Sequence, residues 1–317
     1  MKLRLSYGRI IVLLGILSLV LALSACGSTQ DVNSDQPIVP TKPTSGQGST
    51  ASQGSTPVAG QAPTSTFSYK SAIITIVSTD QQKQFKDDDQ SSGSMVVRVN
   101  IHEQNPTEQS VYVTYDQSAR LILPDGRSIA PATKASSVIE PGIVRNSWLD
   151  FSVDSQQDLN KSILRIGTEN EHQMNISLAS NRDLTKYQAR SITPNTKVQY
   201  GVNWTVAKVT TSLSADGEQA STGNRYIIVT LQANNATEAD FYPTPSENIR
   251  LKSNTAVQAP KSTTLPGSIA AHSNGTTGTV TFLVPENDSN LQLQFLAQPK
   301  EGINAAYANF QIWVQVA

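Results

Sequence analysis

The sequence predicts an all-β protein in which a signal peptide and a disordered tether precede two tandem antiparallel β-sandwiches. Beyond residue 66, short runs rich in Val, Ile, Thr, Phe and Tyr alternate between apolar and polar residues, as half-buried strands do. Asn, Asp, Gly and Pro interrupt these runs about every ten residues, which is typical of turns between antiparallel strands. The pattern occurs twice, about 130 residues apart. No long stretch has helical periodicity, so almost no helix is expected.

The first segment is an export signal that ends at the only cysteine of the chain. A basic start precedes an apolar run over residues 10–21, and small residues lead to a predicted cleavage point before Cys26. The alternative is an uncut transmembrane helix, but a span needs about 20 apolar residues and no stop-transfer charges follow the run. Residues 24–26 resemble the lipobox of bacterial lipoproteins, which implies acyl chains such as palmitate on Cys26.

This resemblance places the protein outside the cytoplasm, attached to the cell membrane through lipidated Cys26. Each buried methylene contributes about 0.8 kcal/mol, so two or three acyl chains hold a protein on a bilayer almost permanently. Gly27 rather than Asp follows the cysteine. In bacteria with two membranes, this resemblance gives no inner-membrane retention signal and leaves sorting to the outer membrane open.

Residues 26–66 are predicted to be a disordered tether. They consist almost wholly of Ser, Thr, Gly, Gln, Pro, Asp and Ala, so too little apolar surface is available to offset the entropy of ordering. The segment is interpreted as a spacer through cell-wall polymer, and a passive linker is the alternative.

The composition of the mature chain excludes some function classes. Removal of residues 1–25 takes away three basic residues and no acidic ones, which leaves 24 − 3 = 21 Lys and Arg against 25 Asp and Glu. This mildly acidic balance predicts no nucleic-acid partner, because nucleic-acid binding needs clustered basic residues. With Cys26 used for lipid, no disulfide or thiolate metal ligand remains, and no cofactor is expected.

The repeat predicts two domains of similar size: residues 67–180 and residues 197–317, with residues 181–196 as a linker. Equivalent positions keep the same side-chain facing, which a chance match would not preserve, because a slip of one residue exchanges core for solvent. The last matched strand is offset by one residue more than the others. The matched segments are 74–76 with 204–206, 97–101 with 227–231, 105–107 with 235–237, and 149–153 with 280–284.

Within each copy, the order of features resembles a known family. A strand, an Asn-x-Thr turn, an apolar strand, an Asp-Gly hairpin, and a Pro-Gly before a Leu-x-Phe-x-Val strand follow one another. This order resembles the exported immunoglobulin-like β-sandwich family found on Gram-positive and related lipoproteins, whose relatives include a mycobacterial secreted immunogenic protein. The resemblance implies immunoglobulin-like sandwiches and an envelope location, but no settled activity. The second copy departs from it where residues 272–275 replace Pro141-Gly142.

Strand parity predicts which side chains face the core. Trp204 alternates in register with core positions, whereas Trp148 and Trp313 are expected to face away from their own cores. An outward tryptophan is a common anchor for a sugar ring or a protein partner, and packing against the neighbouring domain or a covering loop is the alternative. In the strand over residues 95–102, the residues expected in the core are Met95, Val97, Val99 and Ile101, and those expected in solvent are Arg98, Asn100 and His102.

The densest run of charge is Asp87, Asp88 and Asp89, which is a candidate for calcium binding. Hard cations prefer carboxylate and carbonyl oxygens, and the loops at one end of a sandwich can supply them. A solvated acidic loop is the alternative, because adjacent carboxylates on an extended chain point in different directions. The three histidines have no metal-ligand spacing and are interpreted as surface residues.

Together these patterns predict a noncatalytic binding or scaffolding module at the cell envelope. The expected partners are envelope polymers or other envelope proteins, bound through outward strand faces and end loops. An accessory or sensing subunit of an envelope export or signalling complex is the main alternative. An envelope hydrolase is a further one, and it would need a Ser/Asp/His group that forms only in space.

Overall fold

The structure is a computed structural model that describes residues 65–87, 94–132 and 136–312. The predicted signal peptide, Cys26 and most of the predicted tether lie outside the described residues. All described residues belong to one compact unit, residues 58–317. No helix within the described ranges has the length and apolar character needed to cross a membrane.

The described part of the chain is all-β, as predicted, with antiparallel sheets throughout. The described residues of the first half, which we define as residues 65–187, contain ten strands, and the few helical residues among them form single turns. The strands are β1 Thr66–Tyr69, β2 Ala72–Gln82, β3 Met95–Gln104, β4 Val111–Thr114, β5 Ala119–Ile122, β6 Ser128–Ile129, β7 Ser136–Ile139, β8 Val144–Val153, β9 Ile163–Ile166 and β10 Met174–Ser177. The helical turns are α1 Tyr115–Ser118 and the 3-10 turns Leu159–Lys161 and Thr185–Tyr187.

The second half, which we define as residues 190–312, contains twelve strands. The strands are β11 Arg190–Ile192, β12 Thr196–Tyr200, β13 Val202–Ser212, β14 Ser214–Ala215, β15 Glu218–Gln219, β16 Asn224–Asn235, β17 Ile249–Lys252, β18 Val257–Gln258, β19 Ser262–Thr263, β20 Ser273–Pro285, β21 Asn290–Phe295 and β22 Ala306–Gln311. The helical turns are α2 Pro245–Asn248 and the 3-10 turn Pro299–Glu301.

Each half has two larger sheets that share one core. In the first half the strand orders are β1-β2-β3-β8 and β10-β9-β5-β6, with β4 and β7 paired separately. In the second half they are β11-β13-β16-β20-β19, with β12 also on β13, and β18-β17-β21-β22; β14 and β15 form a hairpin. Phe151 and Leu164, from different sheets, lie in one buried cluster, and Trp204 and Leu293 do so in another.

The core prediction for Trp204 is confirmed. Its side chain is 1% exposed. The indole Nε1 donates a hydrogen bond to the Tyr200 carbonyl oxygen at 3.0 Å, which satisfies the polar atom that burial would otherwise leave unpaired.

The two halves repeat one another down to single hydrogen bonds. Asn105 Nδ2 donates to the Ile139 carbonyl oxygen at 2.7 Å, and Asn235 Nδ2 donates to the Ile269 carbonyl oxygen at 3.0 Å. In both halves the threonine two positions later donates its hydroxyl to the asparagine Oδ1 at 2.7 Å. The Asn-x-Thr pattern therefore has one structural role in both copies. It ties the end of β3 or β16 to the backbone just before the turn that leads into β8 or β20.

The extra residue in the second copy is a β-bulge. Gln104 pairs with Val144 in a continuous β3–β8 ladder. In the β16–β20 ladder the register shifts at Asn234, which faces both Asn274 and Gly275. This insertion explains why the repeat offset grows by one residue before the last matched strand.

The halves contact each other through a β-turn and a loop. Residues 213–222, which we call the docking loop, contain the β14–β15 hairpin with an Asp-Gly turn at positive φ. The docking loop forms a β-bridge from Ser221 to Glu171, and the Ala220 carbonyl oxygen accepts a bond from the His172 N–H at 2.6 Å. Gly217 N–H donates to Ser71 Oγ at 3.0 Å.

The segment predicted as a linker, residues 181–196, is folded. Leu184 and Tyr187 are buried in the core of the first half. Arg190–Ile192 then pairs with β13 of the second half. The chain therefore leaves one core and enters the next sheet with few intervening residues.

Candidate binding face around Trp148

Trp148 lies on the outer face of the sheet formed by β1, β2, β3 and β8. Its side chain is 40% exposed, although neighbouring Leu149 is buried in the core. In the ladders, Trp148 lies opposite Asn100 on β3, and Asn100 lies opposite Ser78 on β2. These three side chains share one face because residues directly opposite in antiparallel strands point the same way.

A buried arginine supports the indole ring. The guanidinium carbon of Arg98 is 4.8 Å from the centroid of the Trp148 ring and 4.1 Å from that of Phe85. Arg98 is therefore stacked against two aromatic rings, an arrangement that favours its flat, weakly hydrated cation.

Two carboxylates hold the same arginine at its edges. Arg98 Nε and Nη2 donate to the two oxygens of Asp150, each at 2.7 Å. Its Nη1 donates to the two oxygens of Asp87 at 2.8 and 3.0 Å. The bond to Asp150 is the main reason why the pKa of Arg98 is raised, although burial works against it. One cation thus faces two carboxylates, and the formal charge of the cluster is −1.

The prediction that Arg98 faces solvent is wrong. Arg98 is 6% exposed and Asp150 is 1% exposed. Phe85 covers the guanidinium, and Ala132 N–H donates to the Asp150 carbonyl oxygen at 2.7 Å, which brings a second segment against this part of the sheet. Val96, which has the same facing, is fully buried as well. Only part of the outer face is therefore open.

The open part carries polar groups in rows beside the indole. Asn100 Nδ2 donates to Ser78 Oγ at 2.9 Å and to Asp80 Oδ2 at 2.8 Å. In the next row, His102 Nδ1 and Asn146 Oδ1 lie 2.9 Å apart. Hydroxyl, amide, imidazole and carboxylate groups therefore stand next to an exposed aromatic ring, which is the combination that recognises a ring with both C–H and O–H groups.

The structure describes only one of the other predicted site residues, which are the calcium candidates Asp87, Asp88 and Asp89 and the contact candidate Trp313. Asp87 uses both carboxylate oxygens on Arg98, whereas Asp88, Asp89 and Trp313 lie outside the described residues. In the described ranges, no three His, Cys, Asp or Glu side chains come close enough together to hold a metal ion.

Each histidine contacts a polar side chain from a distant part of the sequence. Beyond the pairing of His102 with Asn146, His172 Nδ1 is 3.2 Å from Glu286 and His272 Nε2 is 2.9 Å from Glu238. Burial lowers the pKa of His172, and the Glu286 carboxylate partly opposes this effect.

Sequence reasoning missed a buried polar cluster in the core of the first half. Glu103 is fully buried; Tyr115 Oη donates to its Oε1 at 2.8 Å and Arg145 Nε donates to its Oε2 at 3.0 Å. Burial raises the pKa of Tyr115 well above its usual value. The inward parity of Glu103 within β3 was the available signal. The equivalent residue in the second half is Ala233, so the cluster is specific to the first half.

A scan against protein-family models and searches of curated proteins and of solved structures found no match to this chain.

Proposed function

We propose that this protein is a lipid-anchored extracytoplasmic lipoprotein whose two tandem immunoglobulin-like β-sandwiches act as a noncatalytic binding module for envelope polymer. The antiparallel sheets that share a core in each half, together with the repeated Asn-x-Thr turn, support the sandwich assignment. The lipobox resemblance at Cys26 supports the anchor.

The exposed and supported indole of Trp148 carries the binding proposal. An aromatic side chain binds a partner most effectively when little freedom is lost on contact. Arg98 lies against the ring and is itself held by Asp150 on β8 and by Asp87 between β2 and β3. The indole is therefore already oriented in the free protein. A pyranose ring placed on the indole would put its hydroxyl groups beside Asn100 and Asp80.

Sedimentation with purified cell-wall polymer tests this function. The full chain in detergent micelles is expected to co-sediment with the polymer, and Trp148→Ala is expected to lose about tenfold in affinity, as for an aromatic anchor worth about 1–2 kcal/mol. The matched control is Tyr307→Ala, which removes a side chain that is 54% exposed on β22 in the other half.

Equal binding by Trp148→Ala and the unsubstituted chain would contradict the proposal, provided that both proteins have the same melting temperature. Equal losses in the Trp148 and Tyr307 variants would show nonspecific adhesion rather than a site.

A further inference from the structure

The two halves have the same construction at the end where the docking loop binds. In the first half, Tyr69 at the end of β1 donates its hydroxyl to Glu171 Oε2 at 2.7 Å, in the loop between β9 and β10. In the second half, Tyr200 at the end of β12 accepts a bond at 2.6 Å from Gln298 Nε2, in the loop between β21 and β22. Both tyrosines are buried. We call this end of each half its receiving end.

The receiving end of the first half is occupied by the docking loop. The contacts are mainly to backbone groups: the bridge from Glu171 to Ser221, and the bond from Thr222 N–H to the Asn170 carbonyl oxygen at 3.2 Å. Backbone contacts of this kind select a turn of suitable shape rather than one particular sequence.

The receiving end of the second half is an open cleft of about 830 Å³. Apolar groups of Val202, Phe241 and Ile303 contribute to its lining, and Tyr242, which is 62% exposed, lies among its lining residues. Its charged lining residues are Asp240, Glu247, Lys300 and Glu301.

The occupied end and its loop carry charges of both signs. The docking loop carries Asp216 and Glu218, and the turn that receives it carries Lys70. The pKa of Glu218 is lowered mainly by its hydrogen bond from Lys261, and the charge of Lys70 adds to this effect. Lys70 also pairs with Glu171 of the same end, its Nζ lying 3.4 Å from Oε1, so the charges at this end largely balance.

The lining of the open cleft carries an excess of negative charge. The turn between β12 and β13 contains only Gly201, whereas the equivalent turn between β1 and β2 contains Lys70 and Ser71. Asp240 and Glu247 stand at positions equivalent to uncharged residues of the first half, Ser110 and Gln117. Three carboxylates against one lysine would attract a positively charged segment.

We infer that this cleft is the docking site for a tight turn of another envelope protein that carries basic side chains and is seated as the docking loop is seated on the first half. The site is on a different surface from Trp148, and its occupation does not depend on polymer binding.

A pair of cyclised peptides tests this inference on the full chain in detergent micelles. One peptide has the sequence of residues 213–222, and the other carries Asp216→Lys and Glu218→Lys. Fluorescence anisotropy is expected to show binding of the basic peptide, and the acidic peptide should bind at least about tenfold more weakly, with a difference that shrinks at high salt.

Removal of the cleft carboxylates gives the decisive comparison. The variant Asp240→Asn, Glu247→Gln, Glu301→Gln is expected to weaken binding of the basic peptide about tenfold or more. The control neutralises three exposed carboxylates of the first half, Glu108→Gln, Asp154→Asn and Asp158→Asn, and should bind normally, as should Trp148→Ala.

Three outcomes would overturn the inference: no binding of either peptide, equal binding of both, or equal losses in the cleft and control variants. Sedimentation of the full chain tests the other possible occupant of the cleft, which is a second copy of this chain. If the cleft variant abolishes self-association, a second copy of this chain occupies the cleft instead of another protein.

Discussion

Arg98 shows how a single charged residue can be buried on the outer face of a sheet. Its guanidinium lies against the rings of Phe85 and Trp148, and its donors bond to Asp150 and Asp87. A buried cation is tolerated only when its hydrogen-bonding groups are satisfied. The same contacts restrict the indole of Trp148, so the arginine acts as a positioning residue for the proposed binding face.

Glu103 gives a residue-scale prediction for stability. Glu103→Ala is expected to lower the free energy of unfolding by about 3 kcal/mol, because it leaves the buried Tyr115 hydroxyl and the Nε of half-buried Arg145 without their acceptor. Glu103→Gln keeps one oxygen acceptor and should lose less. Urea denaturation followed by fluorescence measures both.

The exposed Glu108→Ala is the control, and it should change stability by less than about 0.5 kcal/mol. If Glu103→Ala were as stable as this control, the buried cluster would contribute nothing to stability. Alanine, which the second half has at the equivalent position 233, would then stabilise the first half as well as glutamate does.

At the scale of elements, the turn before β8 differs from the equivalent turn before β20. Gly142 precedes β8 with φ +71°, and His272 occupies the equivalent position before β20 with φ +55°. Positive φ is unfavourable for residues with a Cβ atom, which is why glycine is the usual residue there.

Gly142→Ala is expected to destabilise the protein by about 1 kcal/mol through this backbone strain alone, because no atom lies within 4 Å of the added Cβ. The control is Gly267→Ala, where the Cβ also meets open space and φ is not positive. Thermal denaturation should show a lower melting temperature for the first variant only, and equal melting temperatures would exclude the strain.

Strand alternation predicted the core-facing side chains of β3 and β8 well. Val97, Val99, Ile101 and Phe151 are all buried, as their parity indicates. Parity failed for Arg98 because it describes only the direction of a side chain. Whether an outward side chain is solvated depends on what folds over it.

At the scale of the whole molecule, the two halves are joined by more than a connecting segment. The docking loop pairs with the loop between β9 and β10, while residues 190–192 add a strand to the second half. Ser68 Oγ and Ser214 Oγ, which lie 2.9 Å apart, extend this contact. Side-chain and backbone bonds from several segments therefore restrict the angle between the halves.

Attachment of the whole molecule to the membrane is a prediction for Cys26. Cells fed labelled palmitate are expected to incorporate the label into the unsubstituted chain and not into Cys26→Ala, because the cysteine is the acylated residue that the lipobox resemblance implies. Immunoprecipitation followed by fluorography measures the label, and Ser28→Ala is the control with an intact cysteine. Label in the Cys26→Ala chain, or none in any chain, would contradict lipidation.

By itself, the sequence determined the all-β class, the positions of the strands matched between the copies, the repeat and the facing of Trp148 and Trp204, because these features follow from the local alternation of apolar and polar residues and from turn-forming residues. Only the tertiary structure decided that Arg98 and Asp150 are buried, and that one receiving end is occupied while the other is open. Those outcomes depend on contacts such as that between Ser71 and Gly217, which no local pattern encodes.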